Sequence, residues 1–482
     1  MSTEIPATVA ASDVTEWSDE VDVLVIGFGI AGGCAAVEAA AAGARTLVLE
    51  RAAVAGGTSA MAGGHFYLGG GTVVQRATGH EDSAEEMFTY LMQVTPHPEP
   101  DQIRDYCEGS VEHCDWLEAL GFEFERSYYP EKAVIQPGTE GLMYTGNEKV
   151  WPYKEHAKPA PRGHKVPVPG DTQGAALVTG LLEKRAVELG VEIRFETGAM
   201  QLVVEGSRVV GVAWRRFEET GFIKAGSVVI CAGGFVMNKE MVAEHTPELA
   251  KKPFTLGSTY DDGLGIRLGQ SAGGQALHMD QAFITAPVYP PSILLTGIIV
   301  NKLGKRFVTE DSYHSRTSGY VMDQPDQAAY LIVDSEHMVR PTFTLTPFID
   351  GWETVEEMAA GLGVPADALA KTLSDYNEHA ARGEDPEFHK SPEFLAPQAV
   401  GPWGAFDLTL GKALYAGFTL GGLRTSRFGQ VLRSDGSLIE GLYAAGACAA
   451  NIAQDGKGYS SGTQLGEGSF FGRAAGRHAA SH

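Results

Sequence analysis

The chain has 482 residues, enough for about three domains of ordinary size and for a large buried core. Its 37 lysines and arginines against 61 aspartates and glutamates give a net charge of −24, which disfavours binding to nucleic acid or to an anionic membrane surface. We find no apolar run that approaches the roughly 18 residues of a membrane span, no secretory signal pattern and only five scattered cysteines, so the sequence predicts a cytoplasmic protein without a membrane span or a disulfide framework.

The first predicted elements form a βαβ unit. A polar tail over residues 1–19 is followed by a buried strand at Val21–Ile26 and an alanine-rich helix that ends near Ala42. A second buried strand follows at Thr46–Glu50. Strand, crossover helix and strand in this order are typical of a parallel nucleotide-binding sheet.

The turn between the first strand and the helix has the spacing G-x-G-x-x-G. Gly27 permits the tight turn, Gly29 lets backbone N–H groups approach a pyrophosphate, and Gly32 lets the helix pack close to the strand. Glu50 ends the second strand 23 residues after Gly27, where a carboxylate accepts ribose hydroxyls. Strand, helix and acid together predict a dinucleotide site.

The remaining elements of the first half are predicted from periodicity and glycine content. They are a glycine-rich loop over residues 56–71, helices over 81–93 and 101–120, an irregular stretch over 128–173 that covers a functional region, a helix over 173–189, a β meander from runs at 191–195, 200–204 and 209–214, a buried strand at 228–231 and a helix over 262–274.

The composition changes near residue 285, where strands at Ile298–Asn301 and Tyr330–Val333 and paired helices at 354–362 and 365–379 are predicted. Glycine-rich sequence resumes from Phe406. We therefore expect an α/β chain with a Rossmann-like dinucleotide-binding domain, in two parts (residues 1–284 and 407–482), interrupted by an inserted α+β catalytic and substrate domain (residues 285–406).

Two further segments indicate that the dinucleotide is FAD. Val228–Gly234 is similar to the strand and glycine pair near the adenosine half of FAD-binding flavoproteins, and Gly441–Gly446 is similar to the strand that passes the ribityl chain. Because Gly263-x-Gly265 lacks a third glycine at the required spacing, a second site for NAD(P) is not expected. The sequence therefore predicts FAD and an external electron acceptor, whose identity it leaves open.

With these segments in place, the chain resembles the fumarate reductase/succinate dehydrogenase flavoprotein superfamily over essentially its whole length. Within it the chain resembles the 3-ketosteroid dehydrogenases, and the Δ4-(5α) type most closely. The two specific segments are Gly417-Phe-Thr-Leu-Gly-Gly-Leu-Arg424 and Gly458-Tyr-Ser-Ser-Gly-Thr-Gln-Leu-Gly466. The supporting segments lie at residues 62–71, 106–113, 160–164 and 310–313. The resemblance implies that the reductase-like fold is shared.

Two departures from the dicarboxylate enzymes suit an apolar ligand. Phe418 stands where those enzymes have a histidine, and Gln464 stands where they have an arginine, so two carboxylate anchors are missing. The loop over residues 57–60 has no histidine for a covalent flavin link, which implies FAD held without a covalent bond. No spacing of His, Cys, Asp or Glu suggests a metal site.

The resemblance implies a 3-ketosteroid Δ4-dehydrogenase, which passes a hydride from C5 to the flavin while a proton leaves C4. Tyr459 and the Gly462 amide would polarise the 3-keto oxygen, Ser461 would take or relay the proton, Tyr313 would complete the relay, and Phe418 would line the substrate site. The implied cofactor-binding residues are Gly27, Gly29, Ile30, Ala31, Gly32, Glu50, Arg51, Gly57, Thr58, Ser59, Gly63, Gly64, Ala232, Gly233, Asp262, Gly446, Gly462, Thr463 and Leu465.

Several alternatives stay open at this stage. Ser461 is also a favourable helix N-cap, and Tyr320 and His314 compete with Tyr313 for the relay. The alternative functions are desaturation at C1–C2, the same chemistry on another cyclic ketone or enone, a fumarate-type reductase, and a flavin-binding electron carrier without catalysis.

Overall fold

The computed structural model describes residues 3–251 and 254–481. Its strands are β1 Val9–Ala10, β2 Asp19–Ile26, β3 Thr46–Leu49, β4 His65–Tyr67, β5 Leu142–Met143, β6 Gly163–Lys165, β7 Glu192–Arg194, β8 Gly198–Glu205, β9 Arg208–Arg216, β10 Glu219–Ile230, β11 Phe254–Thr255, β12 Ala276–Leu277, β13 Ala282–Thr285, β14 Ile298–Asn301, β15 Ala329–Val333, β16 Phe348–Trp352, β17 Trp403–Asp407, β18 Ala416–Thr419, β19 Gly422–Leu423, β20 Gln430–Leu432 and β21 Leu438–Ala444.

The α-helices are α1 Ile30–Ala41, α2 Gly57–Met61, α3 Val73–Ala77, α4 Ala84–Val94, α5 Pro100–Glu118, α6 Ala176–Glu188, α7 Lys239–His245, α8 Leu264–Ser271, α9 His314–Met322, α10 Val355–Leu362, α11 Ala366–Ala380 and α12 Thr463–Ala480. Short 3₁₀ helices cover Ala11–Asp13, Tyr153–Glu155, Ser292–Thr296, Pro325–Gln327, Pro392–Phe394 and Gly446–Cys448. None of the helices in the described part of the chain has the length and apolarity that crossing a membrane requires.

The main sheet has the strand order β1-β8-β9-β10-β2-β3-β7, and β21 with β20 pairs beside β10. Strand β10 pairs with β9 through its first half and with β21 through its second half, while β2 runs parallel along it. The parallel strands β2 and β3 and the end of β10 at residues 228–230 consist largely of buried Val, Ile and Leu, as expected for a sheet covered on both faces. Their carboxyl ends form the edge at which the predicted dinucleotide site lies.

Helices α1 and α12 lie against each other beside this sheet. A side-chain carbon on Gly472 would fall 2.4 Å from the Ala31 carbonyl oxygen, and one on Gly476 would fall 2.2 Å from that of Ala35. Only glycine permits so close an approach of two helix backbones. The C-terminal helix is thereby held next to the glycine turn that opens α1.

Residues 298–407, mostly within the predicted inserted domain, form a separate layer, the inserted layer. Strands β14, β15, β17 and β16 make a four-stranded antiparallel sheet whose core includes the apolar faces of α10 and α11. Arg306 binds both Glu310 and Asp385 through paired hydrogen bonds of 2.7–2.9 Å, and all three side chains are buried. This ion-pair cluster has a structural role, and the predicted domain boundaries remain predictions.

Four expectations about local structure were wrong. Residues 56–71, expected to be a loop, contain α2 and β4, and the N-terminal tail contributes β1, which pairs with β8. The run at 191–195, expected to start a meander, instead pairs in parallel with β3 at the sheet edge, and β8, β9 and β10 form the meander. The irregular stretch 128–173 includes β5 and β6, and β6 pairs with both β4 and β5. In each case a tertiary partner stabilises a short segment without strong local periodicity.

Candidate functional site

The glycine turn after β2 has the close approaches that its spacing predicts. Gly27 has φ +94°, and a side-chain carbon on Gly32 would fall 1.9 Å from the Gly27 carbonyl oxygen. The Ile30 N–H donates to Ser59 Oγ over 3.0 Å, which brings α2 to the start of α1. The turn therefore presents a tight backbone cradle at a helix N-terminus, as a pyrophosphate requires.

Glu50 is buried beside this turn. Its Oε2 accepts the Phe28 N–H over 2.7 Å and its Oε1 accepts the Ala52 N–H over 2.7 Å. These bonds hold the carboxylate against the turn, a contact that the sequence did not predict. Since an ionised carboxylate has about four acceptor positions, Glu50 can still accept two ribose hydroxyls.

A second group of predicted cofactor residues meets the loop before α8. Arg51 Nη1 binds Asp262 Oδ2 over 2.9 Å, and the Thr58 hydroxyl donates to Asp261. Burial raises the pKa of Asp261 to about 6, and its bonds from Thr58 and the Ser258 N–H act in the opposite direction. The sequence analysis missed Asp261. In the structure this residue lies close to the predicted Gly233, where a side-chain carbon would fall 2.1 Å from Asp261 Oδ1.

The other predicted cofactor residues lie around the same edge. Gly57 begins α2, Ala232 and Gly233 follow β10, and Gly446, with φ +74°, packs against Ala31. A carbon on Gly63 would fall 2.8 Å from the Asp171 carbonyl oxygen, and one on Gly64 would fall 3.1 Å from Gly174. The loop around residues 171–175 thus supports this glycine pair, which the sequence analysis had not foreseen.

An aromatic cluster lies between the main sheet and the inserted layer. The Phe283 ring stacks on Phe418 with centroids 4.7 Å apart, and the Tyr459 ring meets Phe283 edge-on at 4.8 Å. Tyr313 belongs to the same cluster of buried residues, together with Leu420. Because Phe283 and Phe418 are paired on neighbouring strands β13 and β18, the sheet register sets this apolar wall.

The N-terminus of α12 borders the cluster. Gly462 is its N-cap with φ +96°, and its carbonyl oxygen accepts the Tyr67 N–H over 3.0 Å. The first N–H groups of a helix have no intrahelical acceptor and carry partial positive charge. Burial and the neighbouring Tyr313 raise the pKa of Tyr459 well above its usual range, while the Gln464 N–H of this helix end acts to lower it.

Tyr313 is 2 % exposed, and its hydroxyl has no hydrogen-bond partner among the described residues. Burial raises its pKa, and the nearby Ser461 hydroxyl acts to lower it, although the two groups do not have the geometry of a hydrogen bond. A buried hydroxyl without a partner is unusual in a folded protein. This oxygen is available to a ligand or to a neighbour that turns toward it.

Of the two competing residues, His314 has its ring centroid 3.9 Å from that of Tyr313, whereas Tyr320 lies elsewhere. Burial and the charge of Lys132 lower the pKa of His314 to about 3, so its imidazole is neutral at pH 7. Its Nδ1 forms a hydrogen bond with the Thr285 hydroxyl over 2.6 Å, which fixes the orientation of the ring. Tyr320 lies half-buried under the Lys457 ammonium, 4.9 Å from it, outside the aromatic cluster. The structure therefore brings Tyr313, rather than Tyr320, together with Tyr459.

The irregular stretch after residue 128 anchors both candidate catalytic segments. The Ser461 N–H donates to the Thr145 carbonyl over 2.7 Å, and the Tyr313 N–H donates to Asn147 Oδ1 over 2.9 Å. Asn147 is fully buried, and its own backbone N–H donates to the Tyr90 hydroxyl oxygen over 2.9 Å. Sequence reasoning missed Thr145 and Asn147, since no local pattern marks them.

Glu467 is a second residue that sequence reasoning missed. It is fully buried on α12, and its Oε2 accepts the Ile452 and Ala453 N–H groups over 2.9 and 3.3 Å, while Oε1 has no partner in the described chain. Burial raises its pKa to about 8 against these two bonds. Its signal in the sequence is an acid within the small-residue run of residues 466–469, without a basic neighbour.

The glycine cradle, the buried acid at the end of β3 and the helix end define a dinucleotide-binding flavoprotein, and the backbone crowding at Gly27 and Gly32 fits a bound FAD. A family model described as an FAD binding domain matches residues 22–468, and the chain belongs to this FAD-binding family. Among residues 3–251 and 254–481 no group of three or more His, Cys, Asp or Glu side chains could hold a metal ion.

Known proteins resemble the chain over nearly its whole length. A crystal structure of the 3-ketosteroid-Δ4-(5α)-dehydrogenase from Rhodococcus jostii RHA1, in complex with 4-androstene-3,17-dione, is 40% identical, covers 99% of this chain and 100% of its own, and superposes with a TM-score of 0.92. The 3-oxo-5-alpha-steroid 4-dehydrogenase of Comamonas testosteroni is 28% identical over 91% of this chain and 94% of its own. A probable fumarate reductase of Shewanella frigidimarina is 29% identical over 96% and 76%.

Proposed function

We propose that the protein is an FAD-dependent 3-ketosteroid Δ4-dehydrogenase that introduces the C4–C5 double bond into 5α-reduced 3-ketosteroids. The observation that carries this proposal is the unpartnered Tyr313 hydroxyl, buried in an apolar aromatic cluster that it shares with Tyr459 beside the N-terminus of α12. The full-length similarity to a steroid Δ4-dehydrogenase supports the same assignment.

The residues of this chain have separable tasks in that reaction. Bound FAD, held without a covalent link, supplies the acceptor for the hydride that leaves C5. Tyr459 and the N–H of Gly462 donate to the 3-keto oxygen, where enolate charge develops as the C4 proton leaves. Ser461 and Tyr313 receive that proton, and the raised pKa of Tyr313 makes it a link in a relay rather than a standing phenolate.

The apolar wall argues against a dicarboxylate substrate. A dicarboxylate would need cationic side chains at this wall, but Phe283 and Phe418 stack there instead. The neighbouring His314 supplies no positive charge at pH 7, because its burial and Lys132 lower its pKa to about 3. Desaturation at C1–C2 would use the same cluster with another placement of the steroid ring. The position of the new double bond therefore decides between the two steroid reactions.

The first experiment is an anaerobic titration of the purified holoenzyme with 5α-androstane-3,17-dione, following flavin absorption and identifying the product. Bleaching of the flavin with a C4–C5 double bond is the expected result. Bleaching with a C1–C2 product would replace the proposed reaction with its rival, and an oxidised flavin would overturn the assignment to steroids.

A matched pair of variants tests the site itself. Tyr459→Phe should retain bound FAD and lower the rate constant of flavin reduction by about 10²–10³, the usual cost of one donor to a developing oxyanion. Tyr320→Phe, which lies outside the aromatic cluster, should leave that rate unchanged. Equal rates in the two variants would contradict the role of Tyr459.

The electrons must pass from the reduced enzyme to an external acceptor, because the sequence has no second dinucleotide fingerprint. We place the protein in the cytoplasm, where thiols remain reduced. The five cysteines support this placement, since all of them are buried and free.

A further inference from the structure

Tyr313 also lines a cavity of about 50 Å³ between the stretch after residue 128 and the inserted layer. Its other lining residues include Glu148, Lys132, Tyr144, Tyr289 and Asp311. A buried water needs about 10–15 Å³ of such space and two to four polar partners. The cavity therefore has room and polar groups for a short chain of waters that begins at the candidate relay residue.

Glu148 is the acid at the inner side of this cavity, 1 % exposed. Its Oε1 accepts the Tyr67 hydroxyl over 3.0 Å and its Oε2 accepts the Gly146 N–H over 3.0 Å. Two bonds leave free acceptor positions on an ionised carboxylate. The guanidinium of Arg162, which acts on Glu148 electrostatically, is bonded to Asp82 over 2.8 and 3.0 Å, and Glu148 forms no salt bridge with another described residue.

The outer side of the cavity reaches solvent. Pro130, Glu131 and Glu393 line it and are exposed, and Lys132 is half-buried with its Nζ donating to the Asp311 carbonyl over 2.5 Å. Charged and hydroxyl groups thus follow one another from Tyr313 to the surface. In the candidate substrate cluster, by contrast, Phe283, Phe418 and Leu420 accept no proton, and the only hydroxyls of the cluster belong to Tyr313 and Tyr459.

We propose that Glu148 is the proton acceptor behind Tyr313, and that the proton released in the desaturation leaves the protein through this cavity past Lys132. The proposal rests on the proposed function. In each turnover the hydride passes to the bound FAD, and the C4 proton passes to Tyr313 Oη, directly or through Ser461. Tyr313 Oη gives up its own proton to cavity water, which protonates Glu148, so the tyrosine stays neutral and no further oxidant is needed.

The groups that face Glu148 set the sign of the pH dependence. Burial raises the pKa of Glu148, while Arg162 and the bonds from Tyr67 and Gly146 act to lower it. The other titratable groups near it are Tyr90, Tyr128, Tyr144, Tyr289, Lys132 and Tyr313. Since Glu148 accepts a proton only when ionised, flavin reduction should slow as the pH falls through a pKa above the usual carboxyl range.

The test is single-turnover flavin reduction of the holoenzyme by 5α-androstane-3,17-dione, measured by anaerobic stopped flow across pH. Glu148→Gln should lower the rate constant at least about tenfold, abolish the acid limb of the pH profile and leave the steroid dissociation constant unchanged. Glu148→Ala should regain rate as formate is added, because the small acid replaces the missing carboxylate. Asp334→Asn, an equally buried acid outside the cavity, is the matched control and should behave as wild type.

Ala133→Val is the second variant, because Ala133 lines the cavity without carrying charge. It should slow the same step even if Glu148→Gln does not fold. If the steroid reduces the wild-type flavin but Glu148→Gln has the same pH profile as the wild type, this proposal is overturned and the proposed function stands. If Glu148→Gln does not fold, an unchanged rate constant of flavin reduction in Ala133→Val would overturn this proposal instead. If no 3-ketosteroid reduces the flavin of the wild-type enzyme, the proposed function is overturned, and this proposal is overturned with it.

Discussion

Replacing Tyr313 by phenylalanine should separate function from stability, because its buried hydroxyl has no hydrogen-bond partner among the described residues. An unsatisfied buried polar group costs about 1–3 kcal/mol, and the ring of Tyr313 packs in the same way without its oxygen. The free energy of unfolding of Tyr313→Phe should therefore equal that of the wild type or exceed it by up to about that amount. A structural tyrosine would show the opposite sign.

The effect on activity should be large. A positioned proton-transfer group contributes about 10²–10⁴ in rate, which corresponds to about 3–5 kcal/mol of transition-state stabilisation. We expect Tyr313→Phe to reduce the rate constant of flavin reduction by the steroid within that range. Thermal unfolding of the holoenzyme and anaerobic stopped flow on the same preparation measure the two effects.

Tyr415→Phe is the matched control. Tyr415 is also 2 % exposed, but its hydroxyl donates to the Leu408 carbonyl over 2.5 Å. Its removal leaves a buried carbonyl unsatisfied and should lower the free energy of unfolding by about 1–3 kcal/mol, with flavin reduction unchanged. If Tyr313→Phe had a lower free energy of unfolding than Tyr415→Phe and reduced its flavin at the wild-type rate, the reasoning from its unpartnered hydroxyl would be refuted.

Three further variants test the cradle, the helix end and the inserted layer. Gly32→Ala would place a carbon 1.9 Å from a backbone oxygen and should lose bound FAD, measured by flavin absorbance per protein. Gly462→Ala, at φ +96°, would place a carbon 2.8 Å from the Tyr67 backbone nitrogen and should slow flavin reduction, as stopped flow would show. Arg306→Met should cost about 3–5 kcal/mol in thermal unfolding. Burial alone would raise the pKa values of Glu310 and Asp385, but Arg306 holds both below their usual range. The contribution of these ion pairs to the free energy of unfolding of the wild type should therefore be lost as the pH falls below about 4, where the carboxylates become protonated.

The sequence was informative wherever a structure depends on neighbours along the chain. The strand, glycine turn, helix and acid of the first βαβ unit lie within residues 19–50, and the structure has them in place. Periodicity likewise predicted α10 and α11. These elements depend on local backbone conformation and on which face of a segment is apolar, and both can be read from spacing.

Short segments with a distant partner were beyond such reasoning. Residues 192–194 join the parallel sheet because β3 offers an open edge, and β4, β5 and β6 form because each pairs with another. A run of three residues carries too little periodicity to show which strand it will pair with. The predicted loop at 56–71 was wrong for the same reason.

The candidate site divides in the same way. The sequence by itself determined the dinucleotide cradle and, through the segments 458–466 and 310–313, which tyrosines to consider. Only the tertiary structure decided that Tyr313 rather than Tyr320 faces Tyr459, that Asn147 and Thr145 hold the two segments, and that Glu148 shares a cavity with the relay. These contacts join residues far apart in the chain, and burial gives their hydroxyls and carboxylates surroundings that residue spacing does not specify.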